Sequence, residues 1–468
     1  MSIARSNLTR RVLRALNIVL IVFASAITCK MVAAQTASLD APEEPTAVSS
    51  GDDSPESAST SSAGKSSHEQ NAARVATGRV CVKLTEPFGV DRRTSGFDPN
   101  ATQTTSSEHK PARYTGLSVL GRPIADFRLS SGRGFYLVED DSGELLWLPQ
   151  RIIESVEEAP DATVESIREA MKKTLAEELG DGFQFKETEH FLFAYDTSEG
   201  YVEWCMRLFE SLEDGFRRYA LRQNFELNTR VEPMPVLIFA SKAEFLTYSI
   251  PETGGSDQVA AFYSMQTNRV ALYDLSQVEG GREEGKTRRR RTLLETKEFL
   301  SRPNAAFNVA TIVHEATHQI AFNRGLFLRC GPIALWSVEG LSLLFETPNG
   351  KASQDGWGYR SNFPTNERLL KVFIRYVNSN QLRDPLRSLV RQDVFYKDLE
   401  GSYAFSWALF YYLYKKRPKD LAAYMTEMSK KDPCAVYTPE QRVEDFEKFF
   451  GDDWDKLTTN LFKFIKKL

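Results

Sequence analysis

The chain has 468 residues, of which 41% are hydrophobic and 26% charged, and these proportions are those of an ordinary globular protein. That length is sufficient for two or three domains with at least one large core. The formal net charge of -4 gives no general attraction to nucleic acids or anionic membranes. We therefore expect no nucleic-acid partner.

Residues 1–34 have the pattern of an export signal. A basic stretch that includes Arg10 and Arg11 precedes an apolar run from Ala15 to Thr28, and Val32-Ala33-Ala34 offers small residues for cleavage. The apolar run is shorter than the roughly 20 residues of a membrane-spanning helix. Cleavage is therefore favoured over an uncleaved anchor that would tether the protein to the membrane. Both alternatives predict an exported protein that is periplasmic, secreted or anchored facing outward.

Two segments precede the main domain. Residues 35–112 are predicted to be a mostly disordered, low-complexity tether, because their first half has almost no large apolar side chains. A short strand-like alternation from Val80 to Leu84 interrupts it. Residues 113–158 are predicted to be a small β module, since two apolar runs flank the polar turn at residues 140–143. A module of this size has little stability of its own.

Residues 160–468 are predicted to form the main domain. Strand patterns and helical patterns share its first half, and the chain after Asn304 is almost entirely helical. This order favours an α+β fold rather than one built from βαβ units. The predicted elements are a helix at Val164–Leu179, strands at His190–Ala194, Val236–Phe239, Val259–Tyr263 and Val270–Tyr273, and a long helix that includes Trp204–Phe216.

Two features leave alternatives open. The arginine run 288–291 is most simply a solvated loop, with a processing site or a contact for an acidic partner as alternatives. The four cysteines beyond the signal are too widely spaced for a zinc ribbon. One or two disulfides and buried thiols are equally compatible with their spacing. These cysteines are Cys81, Cys205, Cys330 and Cys434.

The most informative motif is His314-Glu315-Ala316-Thr317-His318. It lies in a stretch without proline or glycine, so a helix is predicted, and residues four apart lie on one face of a helix. Both imidazoles can therefore bind one cation. Glu315 is rotated by about 100° from His314, toward the side where a metal-bound water would lie. This is the physical basis of the His-Glu-x-x-His zinc motif.

A catalytic zinc usually has three protein ligands, and no histidine follows His318 in the chain. The third ligand must therefore be a carboxylate. Glu339 lies 21 residues after His318 in an apolar stretch, where an acid needs a partner. Glu346 is the alternative, but we expect it to be solvated at the end of that helix. Glu339 is therefore predicted to be the ligand.

The helix motif followed by Trp336-x-x-Glu339-Gly340 resembles the gluzincins, the peptidase-MA-like clan of zinc metallopeptidases. The resemblance extends from about residue 185 to the C terminus. It is closest to an uncharacterised bacterial family in that clan, which also resembles this chain at Asn366-Glu367-Arg368-Leu369 and at 403–408. It implies a gluzincin-like catalytic domain with a mixed sheet followed by a helical subdomain.

The resemblance also implies roles for individual residues. His314, His318 and Glu339 would bind one Zn²⁺ per chain, and Glu315 would be the general base. Tyr403, 64 residues after Glu339, is the best match to the tyrosine that donates to the oxyanion in aminopeptidase-like members. A core tyrosine on an amphipathic helix is an equally good interpretation of this residue.

These observations predict an exported zinc peptidase that acts on a peptide or protein substrate. The acid that binds a free amino terminus in aminopeptidase N relatives has no counterpart in 259–266, so an endopeptidase is favoured. The first alternative is a non-catalytic envelope or scaffold protein stabilised by zinc. The second is a zinc hydrolase of non-peptide amides or esters. The sequence does not predict an oligomeric state.

Overall fold

A computed structural model describes most of the chain after residue 77. The predictions for the export signal (1–34), for most of the tether and for the arginine run 288–291 lie outside the described residues. The described ranges are 72–73, 78–86, 117–128, 134–228, 232–253, 259–277, 292–302, 305–348, 362–379, 384–392, 397–435 and 437–468.

The first sheet is entirely antiparallel and forms the β module. Its strands run in the order β5-β4-β3-β2-β6, with β1 pairing beside β2 on the same edge of β3. The predicted hairpin is confirmed as β4 and β5. The module also includes β2, which lies within the segment predicted to be a tether. The strands are β1 (Ala72–Ala73), β2 (Val80–Leu84), β3 (Ser118–Arg128), β4 (Gly134–Asp140), β5 (Leu145–Pro149) and β6 (Ile153–Glu158).

The second sheet is mixed and starts the main domain. The neighbouring strands β8, β9 and β11 are parallel, and β7 and β10 are antiparallel at the two edges. The strands are β7 (Gln184–Glu187), β8 (Phe191–Tyr195), β9 (Met234–Phe239), β10 (Ala261–Ser264) and β11 (Arg269–Tyr273).

Three helices are interspersed with these strands: α1 (Val164–Leu179), α2 (Glu199–Gln223) and α3 (Lys242–Thr253). Because α2 returns the chain from β8 to the parallel strand β9, this part of the domain contains a βαβ connection. The expectation of a domain without βαβ units is therefore wrong here. Strands β8 and β9 are buried at every residue, as is typical of parallel strands covered on both faces.

The C-terminal half is helical, as predicted. Its helices are α4 (Leu293–Leu300), α5 (Ala306–Asn323), α6 (Leu335–Phe345), α7 (Glu367–Ser379), α8 (Pro385–Arg391), α9 (Leu399–Lys416), α10 (Pro418–Ser429), α11 (Pro439–Phe450) and α12 (Trp454–Ile465). They share one continuous hydrophobic core with the second sheet. Among the described residues, no helix is both long and apolar enough to cross a lipid bilayer.

Helices α6 and α9 pack closely at Gly340. A Cβ atom at this position would lie 2.6 Å from Cβ of Phe410 and 2.8 Å from the carbonyl oxygen of Ser406. Real Cβ atoms do not approach backbone atoms so closely. Glycine is therefore required beside Glu339, and this explains the glycine of the Trp-x-x-Glu-Gly pattern.

Arg329 fastens the β module to the main domain. Its guanidinium is 7% exposed and donates to Glu139 Oε1 at 2.8 Å and to the Gly143 carbonyl at 2.8 Å, both in the β4–β5 hairpin. It also donates to the carbonyls of Met265 and Gln266, just after β10, at 2.8 and 3.0 Å. One buried side chain thus joins the module to the edge of the second sheet.

Candidate metal centre

Helix α5 carries both motif histidines on one face. The helix begins after Ala305 and ends at Arg324, followed by Gly325 with a left-handed φ of 74°. His314 and His318 lie one turn apart, and their Nε2 atoms are separated by 3.0 Å. Both side chains are buried. The predicted convergence of the two imidazoles is confirmed.

Helix α6 brings a carboxylate to the same point. Oε2 of Glu339 lies 3.2 Å from Nε2 of His314 and 3.8 Å from Nε2 of His318. One candidate ligand atom from each of the three residues lies within 4.8 Å of the other two. The three side chains therefore form a buried group that could hold a metal ion.

The hydrogen bonds of this group support a cation between its members. Within the described part of the chain, Glu339 is 0% exposed, and no donor other than the two imidazoles reaches its carboxylate. A buried carboxylate is costly unless a cation compensates it. Two imidazole nitrogens and one carboxylate are also the ligand set of catalytic zinc sites that keep an open position. The residues present thus fit a divalent metal ion.

Glu315 lies beside this group and is held by the second sheet. Its Oε2 accepts a hydrogen bond of 2.9 Å from the backbone amide of Tyr263 in β10. Its Oε1 has no partner among the described residues, and the side chain is 0% exposed. Burial and the nearby charge of Glu339, opposed by His314, raise the pKa of Glu315 to about 8. A carboxyl that titrates near neutral pH suits a general base.

Each histidine is also bound at its other ring nitrogen. Nδ1 of His318 lies 3.0 Å from Oγ of Ser342, and Nδ1 of His314 lies 3.2 Å from Oε2 of Glu346. Donation from Nδ1–H leaves Nε2 with the lone pair that binds a metal. The carboxylate of Glu346 can only accept, so it favours the Nδ1–H form of His314, whereas the hydroxyl of Ser342 can donate to His318 or accept from it.

Glu346, the alternative ligand, is placed behind His314 rather than in the metal group. Its side chain is buried, not solvated as expected, because Asn366 and Arg368 both donate to its Oε1 at 3.0 Å. These two contacts explain the Asn366-Glu367-Arg368 segment noted in the sequence. The charges of His314 and Arg368 outweigh burial and lower the pKa of Glu346.

Without a metal, the group itself binds a proton. Burial disfavours a charged imidazole, but the carboxylates of Glu339 and Glu346 outweigh it and raise the pKa of His314 to about 10. Burial together with the charge on His314 lowers the pKa of His318. The carboxylates of Glu339 and Glu346 therefore favour a positive charge at this position, as a metal site requires.

Tyr403 is buried in α9, at 5% exposure. It lies three residues before Ser406 and seven before Phe410, on the stripe of α9 that packs against Gly340 of α6. The structure thus places Tyr403 on the face of α9 that covers the Glu339 helix. Its role as an oxyanion donor stays a prediction.

The hydrogen bond between Tyr263 and Glu315 was not predicted. Glu346 was predicted to be solvated but is buried. The contact of Tyr263 uses a backbone amide, which leaves no side-chain signal. His190 is not part of the metal group, and its Nδ1 is 2.7 Å from Oε2 of Glu210.

One comparison with known protein families matches the segment that contains the candidate metal centre. A family model described as "Protein of unknown function (DUF1570)" matches residues 308–435. The matched segment includes the three candidate ligands, Glu315, Glu346 and Tyr403. It agrees with the expected resemblance to an uncharacterised family. No curated protein matches the chain.

Proposed function

We propose that this protein is a zinc-dependent peptide hydrolase of the gluzincin type, and that it acts outside the cytoplasm. His314, His318 and Glu339 would hold one zinc ion, and Glu315 would be the general base. Cleavage within a peptide is favoured over removal of its first residue, because the β10 region has no acid to bind a free amino terminus.

The observation that carries the proposal is the buried carboxylate of Glu315 beside a ligand set of two histidines and one glutamate. A structural zinc site is usually closed by four protein ligands and needs no base. Here the chain provides three ligands and a further carboxylate, that of Glu315, whose Oε1 has no partner in the described residues. This arrangement favours catalysis over a role as a structural cross-link.

Zinc in such a site supplies Lewis acidity, which polarises a carbonyl and acidifies water. The residues of the chain would do the remaining work. Glu315 would take a proton from the attacking water through Oε1, while the Tyr263 amide holds Oε2 in place. Glu315 could then deliver that proton to the leaving nitrogen.

The position of β10 supports an extended peptide as substrate. Strand β10 is the last strand of its sheet in the described structure. The Tyr263 amide points to Glu315 and not into the ladder with β11. In antiparallel pairs the amide and carbonyl of such a residue face the same side, so the carbonyl of Tyr263 faces the side on which Glu315 lies. An extended substrate could pair there by β-augmentation, with its backbone beside the base.

The test is cleavage of an unbiased peptide library by the purified, zinc-loaded full-length protein, with products read by mass spectrometry. We expect internal cleavage that a zinc-chelating hydroxamate blocks, since such inhibitors need an open coordination position. Zinc binding without cleavage of any peptide would refute the peptidase and favour a zinc-stabilised scaffold. Hydrolysis of simple esters alone would redirect the proposal to a non-peptide hydrolase.

A further inference from the structure

Two cysteines that are far apart in sequence meet at the junction of the β module and the helical half. Cys330 lies between α5 and α6, and Cys434 follows α10. The backbone amide of Cys434 donates to the carbonyl oxygen of Cys330 at 2.6 Å. A carbonyl oxygen lies about 2.4 Å from its own Cα, and an amide nitrogen about 1.5 Å. The two Cα atoms are therefore no more than about 6.5 Å apart, within the range spanned by disulfides.

The side chains of both residues enter the same apolar cluster. This cluster contains Leu137 and Leu145 of the β4–β5 hairpin, with Trp147 packed against it. Cys330 is 9% exposed, and Cys434 is partly exposed. A dissolved oxidant can thus reach Cys434, and Cys330 lies beside it. Cys434 also has a left-handed backbone, with φ of 62°, which is uncommon for a residue other than glycine.

The remaining described cysteines do not share this geometry. Cys205 lies in α2 at 0% exposure, within the main hydrophobic core. Cys81 lies in β2, where its neighbours in the ladder are Leu120 and Glu157. Each of them therefore provides a control for the reactivity of the pair.

We propose that Cys330 and Cys434 form a disulfide when the folded protein meets a small-molecule disulfide oxidant such as oxidised glutathione. The Cys434 thiolate attacks one sulfur of the oxidant and releases one glutathione thiol, which leaves a mixed disulfide on Cys434. The Cys330 thiolate then attacks the Cys434 sulfur and releases the second thiol. Two protein thiols are oxidised to one disulfide, and one oxidised glutathione is reduced to two thiols.

This bond would close the segment from 330 to 434, which contains α6 and hence Glu339. It would also cross-link the chain immediately after Arg329, the residue that holds the β module. The oxidised form should therefore resist proteolysis between α6 and α10 better than the reduced form. The proposal does not depend on catalysis, because a disulfide can form whether or not the metal centre is active.

The test uses the full-length protein, reduced and then incubated with oxidised glutathione under native conditions. Non-reducing peptide mapping should show one linked peptide pair that contains Cys330 and Cys434, with the loss of two hydrogen atoms from the intact mass. Cys81→Ser should form the same link. Cys330→Ser should instead retain glutathione on Cys434. A link to Cys81, stable glutathione on Cys434 of the wild type, or no reaction in the folded protein would each overturn the proposal.

Discussion

The backbone amide of Tyr263 donates a 2.9 Å hydrogen bond to Oε2 of Glu315, and this contact joins the edge strand of the second sheet to the helix that carries both histidines. It fixes one oxygen of the carboxylate and leaves the other without a partner in the described structure. The proposed base is therefore oriented by the main chain, which a change of side chain at position 263 would not remove.

The first prediction separates the base from the ligands. Glu315→Gln keeps an oxygen that can accept from the Tyr263 amide, so the fold should persist. It removes the proton acceptor, so we expect the rate of peptide cleavage to fall by about 10²- to 10⁴-fold. Zinc content should not change. The control is Glu367→Gln, the same chemical change at an exposed position of α7. Cleavage at the wild-type rate by Glu315→Gln would exclude the proposed mechanism.

The second prediction concerns metal stoichiometry. The purified wild-type protein should contain about one zinc per chain by elemental analysis. His314→Ala should contain none, because the remaining two ligands cannot form the site. His190→Ala is the matched control, since His190 contacts Glu210 rather than the metal group. If folded wild type bound no zinc, the motif would be a packing feature and the proposed function would be withdrawn.

The third prediction tests the support of His314 by Glu346. Glu346→Gln retains the shape of the side chain but removes the negative charge beside Nδ1 of His314. Carboxylates that hold a metal-binding histidine typically contribute 10- to 100-fold to metal affinity, so we expect zinc affinity to fall by about that factor. Competition with a chromophoric chelator measures it, with Glu367→Gln as the control. Equal affinities would mean that Glu346 only fills space.

The fourth prediction concerns the junction of the β module. Arg329→Met removes the donors to Glu139 and to the carbonyls of Gly143, Met265 and Gln266. Because Glu139 keeps a second and more exposed cation, Arg122, we expect a loss of about 1.5–3 kcal/mol in the free energy of unfolding, as for a hydrogen bond to a charged group.

Hydrogen exchange should show which part of Arg329→Met is destabilised, and we expect the faster exchange to be concentrated in the β4–β5 hairpin. Adding Glu139→Gln to Arg329→Met should recover part of the loss, since the buried charge is then removed as well. Uniformly faster exchange across the chain would contradict a specific role at the junction.

The fifth prediction is a pH dependence of stability. The hydrogen bond with Glu210, opposed by partial burial and aided by Glu213, raises the pKa of His190 above its usual value of 6.5. A group whose pKa is raised on folding stabilises the protein below its unfolded pKa, and this contribution disappears as the pH rises through the folded pKa. Glu210 stays ionised in this range, because its own pKa is lowered.

Wild type should therefore exceed His190→Gln in free energy of unfolding by about 1 kcal/mol more at about pH 5.5 than at about pH 9. Urea denaturation at both pH values measures the difference. A difference between the two proteins that does not change with pH would show that folding leaves the pKa of His190 unshifted.

The helices and the metal group could be predicted from the sequence because local rules determine them. Val164–Leu179 was predicted with the observed bounds, since Thr163 caps its first turn and Gly180 follows its last residue. The spacing of His314 and His318 fixes their common face in any helix. Glu339 could be predicted as a ligand because burying an acid in an apolar stretch is unfavourable unless the acid has a partner.

The features that escaped prediction depend on contacts between distant segments. The parallel pairing of β8 with β9 depends on α2 carrying the chain back along the sheet, and the patterns of the two strands alone do not show whether such strands become neighbours. In the sequence, Arg329 cannot be distinguished from a surface arginine, because its partner in the hairpin, Gly143, lies 186 residues away. Glu346 was expected to be solvated because its partners, Asn366 and Arg368, lie 20 and 22 residues further along the chain, at the start of α7.

The close contact at Gly340 limits how far the neighbouring residue, Glu339, can move. Gly340 has no side chain of its own to absorb a shift, and it packs directly on the Ser406 carbonyl and the side chain of Phe410 in α9, so a displacement of either helix moves the carboxylate of Glu339 relative to the two imidazoles. Loosening of the C-terminal helices should therefore change the distances between this carboxylate and the imidazoles. The packing of the helical half thus determines the position of one carboxylate, that of Glu339.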